Sequence, residues 1–256
     1  MNLADTGLAA LLSVCLLPGL CQAEDLPKGD CAAPRPFSDL RHCNFAGRQM
    51  PGINLHGVLL DGVDLSNARL PGCNLTGSSL KKADLKWAIL TDCQMPDSNL
   101  TEADLFHTTF DGAYLSRSRF VLANMFGANL NEVTAEQSDF SEAYMKDVAM
   151  ENSLLRGSKF DNCFMQRAVL IDSDVSDGSF LWAVLTGGAL ENSDFSRADL
   201  AYALLNGARM ENAVFRQTRL QGARFTNAVL TGSDFREVRE APEHLVNMLK
   251  QQQVRY

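Results

Sequence analysis

The sequence has no excess of basic side chains. It carries 23 lysine and arginine residues against 31 aspartate and glutamate residues, which gives a formal net charge of -8 at pH 7. Non-specific binding to nucleic acid and to anionic membrane surfaces favours basic proteins. The charge balance therefore argues against nucleic acid as a partner and against a membrane surface as a docking site.

Long apolar segments are also lacking beyond the N-terminus. The uncharged stretch Gly7–Leu20 has 14 residues, whereas a membrane-spanning helix needs about 20. Cys21-Gln22-Ala23 follows it, with small residues at positions -3 and -1 of a cut after Ala23, as in secretory signal peptides. We therefore expect residues 1–23 to be a signal peptide and the mature protein to be periplasmic or secreted. The segment before the apolar stretch contains Asp5 and no lysine or arginine, which leaves a frayed N-terminal helix or a misassigned start as the alternatives.

Sequence motifs for catalysis, metal binding and phosphate binding are missing as well. The chain has no CxxC, no paired Cys/His spacing and no glycine-rich phosphate loop between a strand and a helix. Its four histidines are scattered, and none has the spacing from Ser, Cys or a carboxylate that a nucleophile and base would show. We expect no catalytic residue, no metal site, no cofactor and no enzyme activity.

What the sequence does have is a period of five. Every fifth residue from Leu40 to Phe235 gives 40 positions (i), and all except Ala135 are Leu, Phe, Met or Val. Two residues earlier (i-2), 34 of 40 are Ala, Ser, Cys, Thr or Gly. An α-helix would scatter this column by roughly 140° per step, and a flat strand would alternate its faces. The chain must therefore turn a corner in every unit, which makes a solenoid.

The positions after each apolar residue fit these corners. At i+2, 19 of 40 residues are Gly or Asn, the types that tolerate the positive φ values of tight turns. Units such as "ADLKW" (83–87), "ADLFH" (103–107) and "ANLNE" (128–132) resemble the pentapeptide-repeat family, whose unit is A(D/N)LXX. The resemblance covers residues 38–237. It implies an all-β fold: a right-handed quadrilateral parallel β-helix with four units per coil, ten coils, and residues n and n+20 stacked.

The regions on both sides of the repeats are expected to cover the ends of the solenoid, where backbone groups would otherwise be unpaired. Residues 24–37 are interpreted as an N-terminal cap or leader. Residues 238–256 are interpreted as a helical C-terminal cap, since Pro242 suits a first helical turn and Leu245, Met248 and Leu249 form an apolar stripe.

Two outer faces carry candidate interaction residues. One face sums to zero charge and presents a row of apolar side chains, which we name the apolar strip: Phe106, Phe126, Tyr144, Phe164, Val184 and Leu204. The next face has a net charge of -4, out of -7 for all repeats, and presents a row of carboxylates, which we name the acidic ladder: Asp92, Asp111, Glu132, Glu151, Asp172, Glu191 and Glu211. An exposed apolar strip is typical of a docking surface, whereas the ladder would create a negative field along the rod.

The cysteines favour structural roles. Cys43, Cys73, Cys93 and Cys163 all lie in the small i-2 column and are interpreted as interior fillers, chemically similar to Ala and Ser. Cys31 and Cys43 are a candidate disulfide in an oxidising compartment. Cys73 and Cys93 would stack, but we expect that their side chains would have to reorient to bond.

The leading functional hypothesis is a non-catalytic, exported scaffold of a bacterial cell envelope. It would bind a protein partner through the apolar strip or the acidic ladder, with a homodimer through the C-terminal cap or the apolar strip as a further expectation. The resemblance implies an alternative, because some pentapeptide-repeat proteins mimic duplex DNA and bind type II topoisomerases such as gyrase. The acidic ladder suits that alternative, whereas a signal peptide does not, since gyrase is cytoplasmic.

Overall fold

The computed structural model describes residues 26–252 together with Val254 and Tyr256. The predicted signal peptide, residues 1–23, lies outside the described residues. Within them the repeats form a right-handed quadrilateral parallel β-helix, as the sequence predicts. Each side of a coil contributes one bridging residue, at position i-1, and pairs in parallel with the residue 20 positions later, from Asp39–Leu59 to Arg219–Arg239. Residues 38–237 therefore make ten coils.

From the second corner of the repeats onward, the corners share one backbone conformation. The N–H of residue i+3 donates to the carbonyl of residue i, as from Ala83 to Leu80 at 3.1 Å. Residue i+2 has a positive φ at every corner from Gly47 to Glu237, including bulky residues such as Trp87 and Leu122. A positive φ at this turn position is the mark of a type II turn. The abundance of Gly and Asn at i+2 is thereby explained.

The i column fills the axis of the rod. Except for half-buried Met50, its members from Leu40 to Phe235 are fully buried, at 0–1% exposure. On one side, the rings of Phe120, Phe140, Phe160 and Phe180 stack with centroids 4.7–5.0 Å apart. The interior is thus a continuous core of side chains.

The small residues of the i-2 column also form hydrogen bonds between successive coils. Most of its Ser and Thr side chains, and Cys163, donate a hydrogen bond to the carbonyl of an i-column residue 23 positions earlier, in the previous coil, as from Ser158 to Ala135 at 2.6 Å. Ser158 Oγ also accepts from the backbone N–H of Ser138 at 3.0 Å. These bonds tie successive coils together inside the core, so a hydroxyl is satisfied there although it is buried.

Both ends of the rod are covered. At the N-terminal end, Lys28 bridges to Asp39, and the Gly29 N–H donates to the Asp39 carbonyl at 2.9 Å. At the C-terminal end, helix α1 (Glu243–Gln251) buries Leu245 and Leu249 against the last coil, with Met248 partly buried beside them. The described end of the chain thus confirms the predicted helical cap.

Two polar side chains of the C-terminal cap replace the missing next coil. His244 Nε2 accepts from the backbone N–H of Phe225 at 3.4 Å, and Gln252 Oε1 accepts from that of Leu230 at 2.9 Å. Both backbone donors would otherwise pair with an eleventh coil. The cap therefore ends the β-helix by satisfying its open edge.

Candidate protein-interaction surfaces

The apolar strip is a stack of rings that contact one another. Phe106 stacks on Phe126 with centroids 5.5 Å apart, Phe126 on Tyr144 at 6.1 Å, and Tyr144 on Phe164 at 5.4 Å, with planes within 12° of parallel. Tyr144 bridges in turn to Phe164, and Val184 to Leu204 continues the same column. All six predicted residues therefore lie in one row. Tyr144 is 42% exposed, whereas the other five are half-buried.

Two tryptophans lie beside the six predicted residues, and Trp182 is the one that the sequence argument missed. Trp87 extends the strip towards the N-terminus, contacting Phe106 at 5.5 Å and stacking on His107 at 4.4 Å. Near the other end, Trp182 stacks on Tyr202 at 4.3 Å. Trp87 and Trp182 are 53% and 54% exposed. The sequence could have predicted this second pair. Trp182 and Tyr202 are 20 residues apart, and they lie two residues before Val184 and Leu204 of the strip.

The acidic ladder divides into two kinds of position. Asp92, Glu132 and Asp172 occupy i+2 and are exposed, whereas the other four carboxylates occupy i+1 and are half-buried: Asp111, Glu151, Glu191 and Glu211. Arg209 pairs with Glu191 at 2.6 Å. Within the described residues the other six members take part in no ion pair closer than 4.0 Å. The face therefore keeps most of its negative charge.

The half-buried members of the ladder are incompletely hydrogen-bonded. One carboxylate oxygen each of Asp111, Glu191 and Glu211 is enclosed without a protein partner. Burial raises the pKa of the Asp111 carboxyl, and the nearby charges of Glu132 and Asp92 act in the same direction, against a backbone hydrogen bond from Asn131. Burial therefore favours the neutral form of Asp111 more than it would for a fully exposed carboxyl.

Three carboxylates at corners on other sides are paired with arginines. Asp97, Asp147 and Asp177 each accept a paired hydrogen bond from an arginine 20 residues later: Arg117, Arg167 and Arg197, at 2.6–2.8 Å. These guanidinium groups hold the pKa values of the three carboxyls below the usual range. Stacking an acid under a base is thus available to this fold, and the ladder does not use it beyond Glu191.

A family comparison agrees with the geometry. The model of "Pentapeptide repeats" matches the chain in eight copies, at residues 38–77, 59–95, 78–117, 98–134, 118–157, 179–217, 193–232 and 208–239. The chain belongs to the pentapeptide-repeat family. No curated protein matches it by sequence.

Solved pentapeptide-repeat structures are similar to this family member. HetL, involved in heterocyst differentiation regulation in the cyanobacterium Nostoc, is 26% identical over 75% of this chain and 86% of its own, with a TM-score of 0.48. QnrB1, a plasmid-mediated fluoroquinolone resistance protein, is 16% identical over 82% of this chain and 97% of its own, with a TM-score of 0.44. Rfr23 of the cyanobacterium Cyanothece is 22% identical over 48% of this chain and 91% of its own, with a TM-score of 0.34.

The cysteines of this pentapeptide-repeat protein are paired more than its sequence suggests. Cys31 and Cys43 form a disulfide with Cα atoms 5.5 Å apart, joining the N-terminal cap to the first coil. Cys73 and Cys93 are also joined, with Cα atoms 4.6 Å apart. Their side chains already project into the interior one above the other, so the expectation that they would have to reorient is corrected. Cys163 behaves as the predicted filler and donates to the Phe140 carbonyl at 2.8 Å.

One histidine of this repeat protein lies beside cysteines, which the sequence argument missed. His42 Nε2 is 3.4 Å from Cys31 Sγ and 3.8 Å from Cys43 Sγ. The sequence offered only the adjacency of His42 and Cys43, because Cys31 reaches them from a cap outside the period of five.

Among the described residues, no helix has the length and apolar character to cross a membrane.

Proposed function

We propose that the protein is a non-catalytic scaffold that binds a protein partner through the apolar strip. The observation that carries this proposal is the unbroken row of stacked rings from Phe106 to Phe164, continued by Val184 and Leu204. The row lies on a face without net charge. Aromatic residues are enriched and charged residues depleted at the cores of protein interfaces.

The rigidity of the strip supports the same proposal. Its rings are held by their neighbours above and below, so they lose little conformational freedom when a partner covers them. The exposed side chains of Trp87, Tyr144 and Trp182 along this surface are the groups that a partner would bury. The axis of the rod, by contrast, is filled by side chains, so a small substrate would find no central cavity.

A double substitution tests the strip. Tyr144→Asp with Trp182→Asp places two charges on the exposed part of the surface while leaving the core intact. We expect capture of a partner from cell-envelope extract, identified by mass spectrometry, to fall at least tenfold, because each charge must be desolvated against apolar surface.

The matched control is Leu154→Asp, which changes an isolated apolar side chain of 50% exposure on another face. Circular dichroism of all variants should match the parent protein. If the double variant captures the partner as well as the control does, the strip is not the binding surface. Capture of only this same chain would identify a homodimer in place of a separate partner.

We further propose that the protein is exported to the periplasm of a bacterium. The Cys31–Cys43 disulfide supports this location, because such bonds persist in oxidising compartments. Mass spectrometry of the mature chain from fractionated cells should find an N-terminus at Glu24 in the periplasmic fraction. An intact N-terminus in the cytoplasm would contradict export.

A second candidate function rests on the acidic ladder, six of whose carboxylates form no ion pair with any residue that the structure describes. In this alternative the protein mimics DNA and binds gyrase, in which case it should inhibit gyrase supercoiling. Charge reversal of Glu132, Glu151 and Asp172 to Lys should then weaken inhibition, whereas reversal of Glu102, Glu136 and Glu142 on other faces should have less effect. Absence of inhibition by the purified parent protein would exclude this candidate.

A further inference from the structure

The N-terminal cap brings together three side chains that suit a soft metal ion. The donor atoms of Cys31, His42 and Cys43 all lie within 4.8 Å of one another. Cysteine sulfur and histidine nitrogen are the common ligands of zinc, which prefers four ligands at tetrahedral positions. Such a set lies outside both candidate interaction surfaces.

The measured distances suit a shared tetrahedral ion. With Zn–S near 2.3 Å and Zn–N near 2.0–2.1 Å, two ligand atoms on one tetrahedral zinc are about 3.5–3.8 Å apart. His42 Nε2 lies 3.4 Å from Cys31 Sγ and 3.8 Å from Cys43 Sγ. The two nitrogen–sulfur edges are therefore already close to the required lengths. Only the sulfur–sulfur edge must lengthen, which follows when the disulfide is reduced.

The backbone at this corner differs from the rest of the repeat. Within the described repeats, every i+2 residue from position 47 onward has a positive φ, whereas His42, the first i+2 residue, does not. At this corner the N-terminal cap lies where another coil would stack, and the His42 side chain contacts the sulfur of Cys31 in that cap. The site is also open, since His42 is exposed while Cys43 is buried, so water could fill a fourth position.

We propose that the reduced N-terminal cap is a zinc site in which Cys31, His42 and Cys43 supply three ligands. A phosphine reductant and water convert the disulfide to two thiols and give the phosphine oxide. The two thiols then bind Zn²⁺ as thiolates, releasing two protons, and His42 binds through Nε2. Disulfide and metal exclude each other, and each fastens the cap to the first coil. This proposal is independent of the apolar strip.

The test uses the full chain with Cys15, Cys21, Cys73, Cys93 and Cys163 replaced by serine, so that only Cys31 and Cys43 remain. Co²⁺ is titrated as a spectroscopic probe into the phosphine-reduced protein and the oxidised protein. We expect one equivalent to bind to the reduced form, with thiolate-to-cobalt charge transfer and the intense visible bands of tetrahedral Co²⁺, and Zn²⁺ to displace it. The oxidised form should show neither band.

His42→Ala should weaken Zn²⁺ affinity at least tenfold, measured by competition with a chromophoric chelator. The matched control is His56→Ala, whose ring packs on Phe37 with centroids 4.9 Å apart, and it should bind as the parent does. Equal affinity of the His42→Ala variant and the parent would overturn the three-ligand site. Equal binding by oxidised and reduced protein, or no cobalt–thiolate band in the reduced protein, would overturn it as well.

Discussion

Phe160→Ala should destabilise the β-helix by about 3–5 kcal/mol, the usual cost of deleting a buried Phe side chain. Phe160 is fully buried. It stacks on Phe140 at 5.0 Å and on Phe180 at 4.7 Å, and each such pair contributes about 0.5–1.5 kcal/mol beyond area burial. The coil spacing fixes the rings above and below, so the cavity closes poorly. The upper half of the range is therefore expected.

The matched control is Phe160→Leu. Leucine occupies the same column at Leu60, Leu80 and Leu100 and is buried there, so this coil geometry accepts it, and we expect a loss of about 1.5 kcal/mol or less. Guanidinium unfolding followed by circular dichroism gives both values, with the slope compared among variants because repeat arrays can lose two-state behaviour. A loss below about 1 kcal/mol for alanine, or equal losses for alanine and leucine, would refute the argument from stacking.

Three further predictions concern a thiol, a corner and a carboxylate. The Cys163 thiol, whose pKa is raised by burial, should react with a disulfide reagent only after unfolding, and rapid reaction in the native state would contradict its placement. Gly62→Ala should cost about 1 kcal/mol in thermal unfolding, because φ is +70° and nothing lies within 4 Å of the added methyl; an unchanged midpoint would contradict the backbone argument. The hydrogen bond from Arg41 lowers the pKa of Asp39 from 3.8 to about 2. Asp39→Asn should therefore cost a fraction of 1 kcal/mol above pH 4, discounted for exposure, and progressively less as the pH falls towards 2; a cost that grows on acidification would contradict this sign.

The five-residue period predicted most of the fold. Once the resemblance supplied four units per coil, the rule that n stacks on n+20 placed Phe106 under Phe126 and Tyr144 under Phe164 without any structural information, whereas the contact between Phe126 and Tyr144, 18 residues apart, required the structure. Applied to the corner positions, the same rule would have paired Trp182 with Tyr202. The helical cap followed from ordinary helix signals at Pro242, Leu245 and Leu249.

The depth of the ladder residues follows the register, since Asp111 at i+1 is half-buried and Asp92 at i+2 is exposed, although the period alone does not say which of the two corner positions lies deeper. One feature was not predictable from the period. The contact between Cys31 and His42 arises in a cap that does not repeat, so no register relates the two residues. A periodic pattern predicts the contacts between repeats, whereas this contact of the non-repeating N-terminal cap is visible only in the structure.

The five-residue register has no insertion or deletion, and the strip therefore stays on the same face of the rod from coil to coil. Because each unit of five residues makes one quarter turn, an insertion of five residues before Phe164 would rotate every later side chain by one face. Val184 and Leu204 would then point away from Phe126. An insertion of 20 residues would instead lengthen the rod by one coil and leave the strip aligned. Changes in the length of this protein are therefore compatible with a continuous binding face only in whole coils.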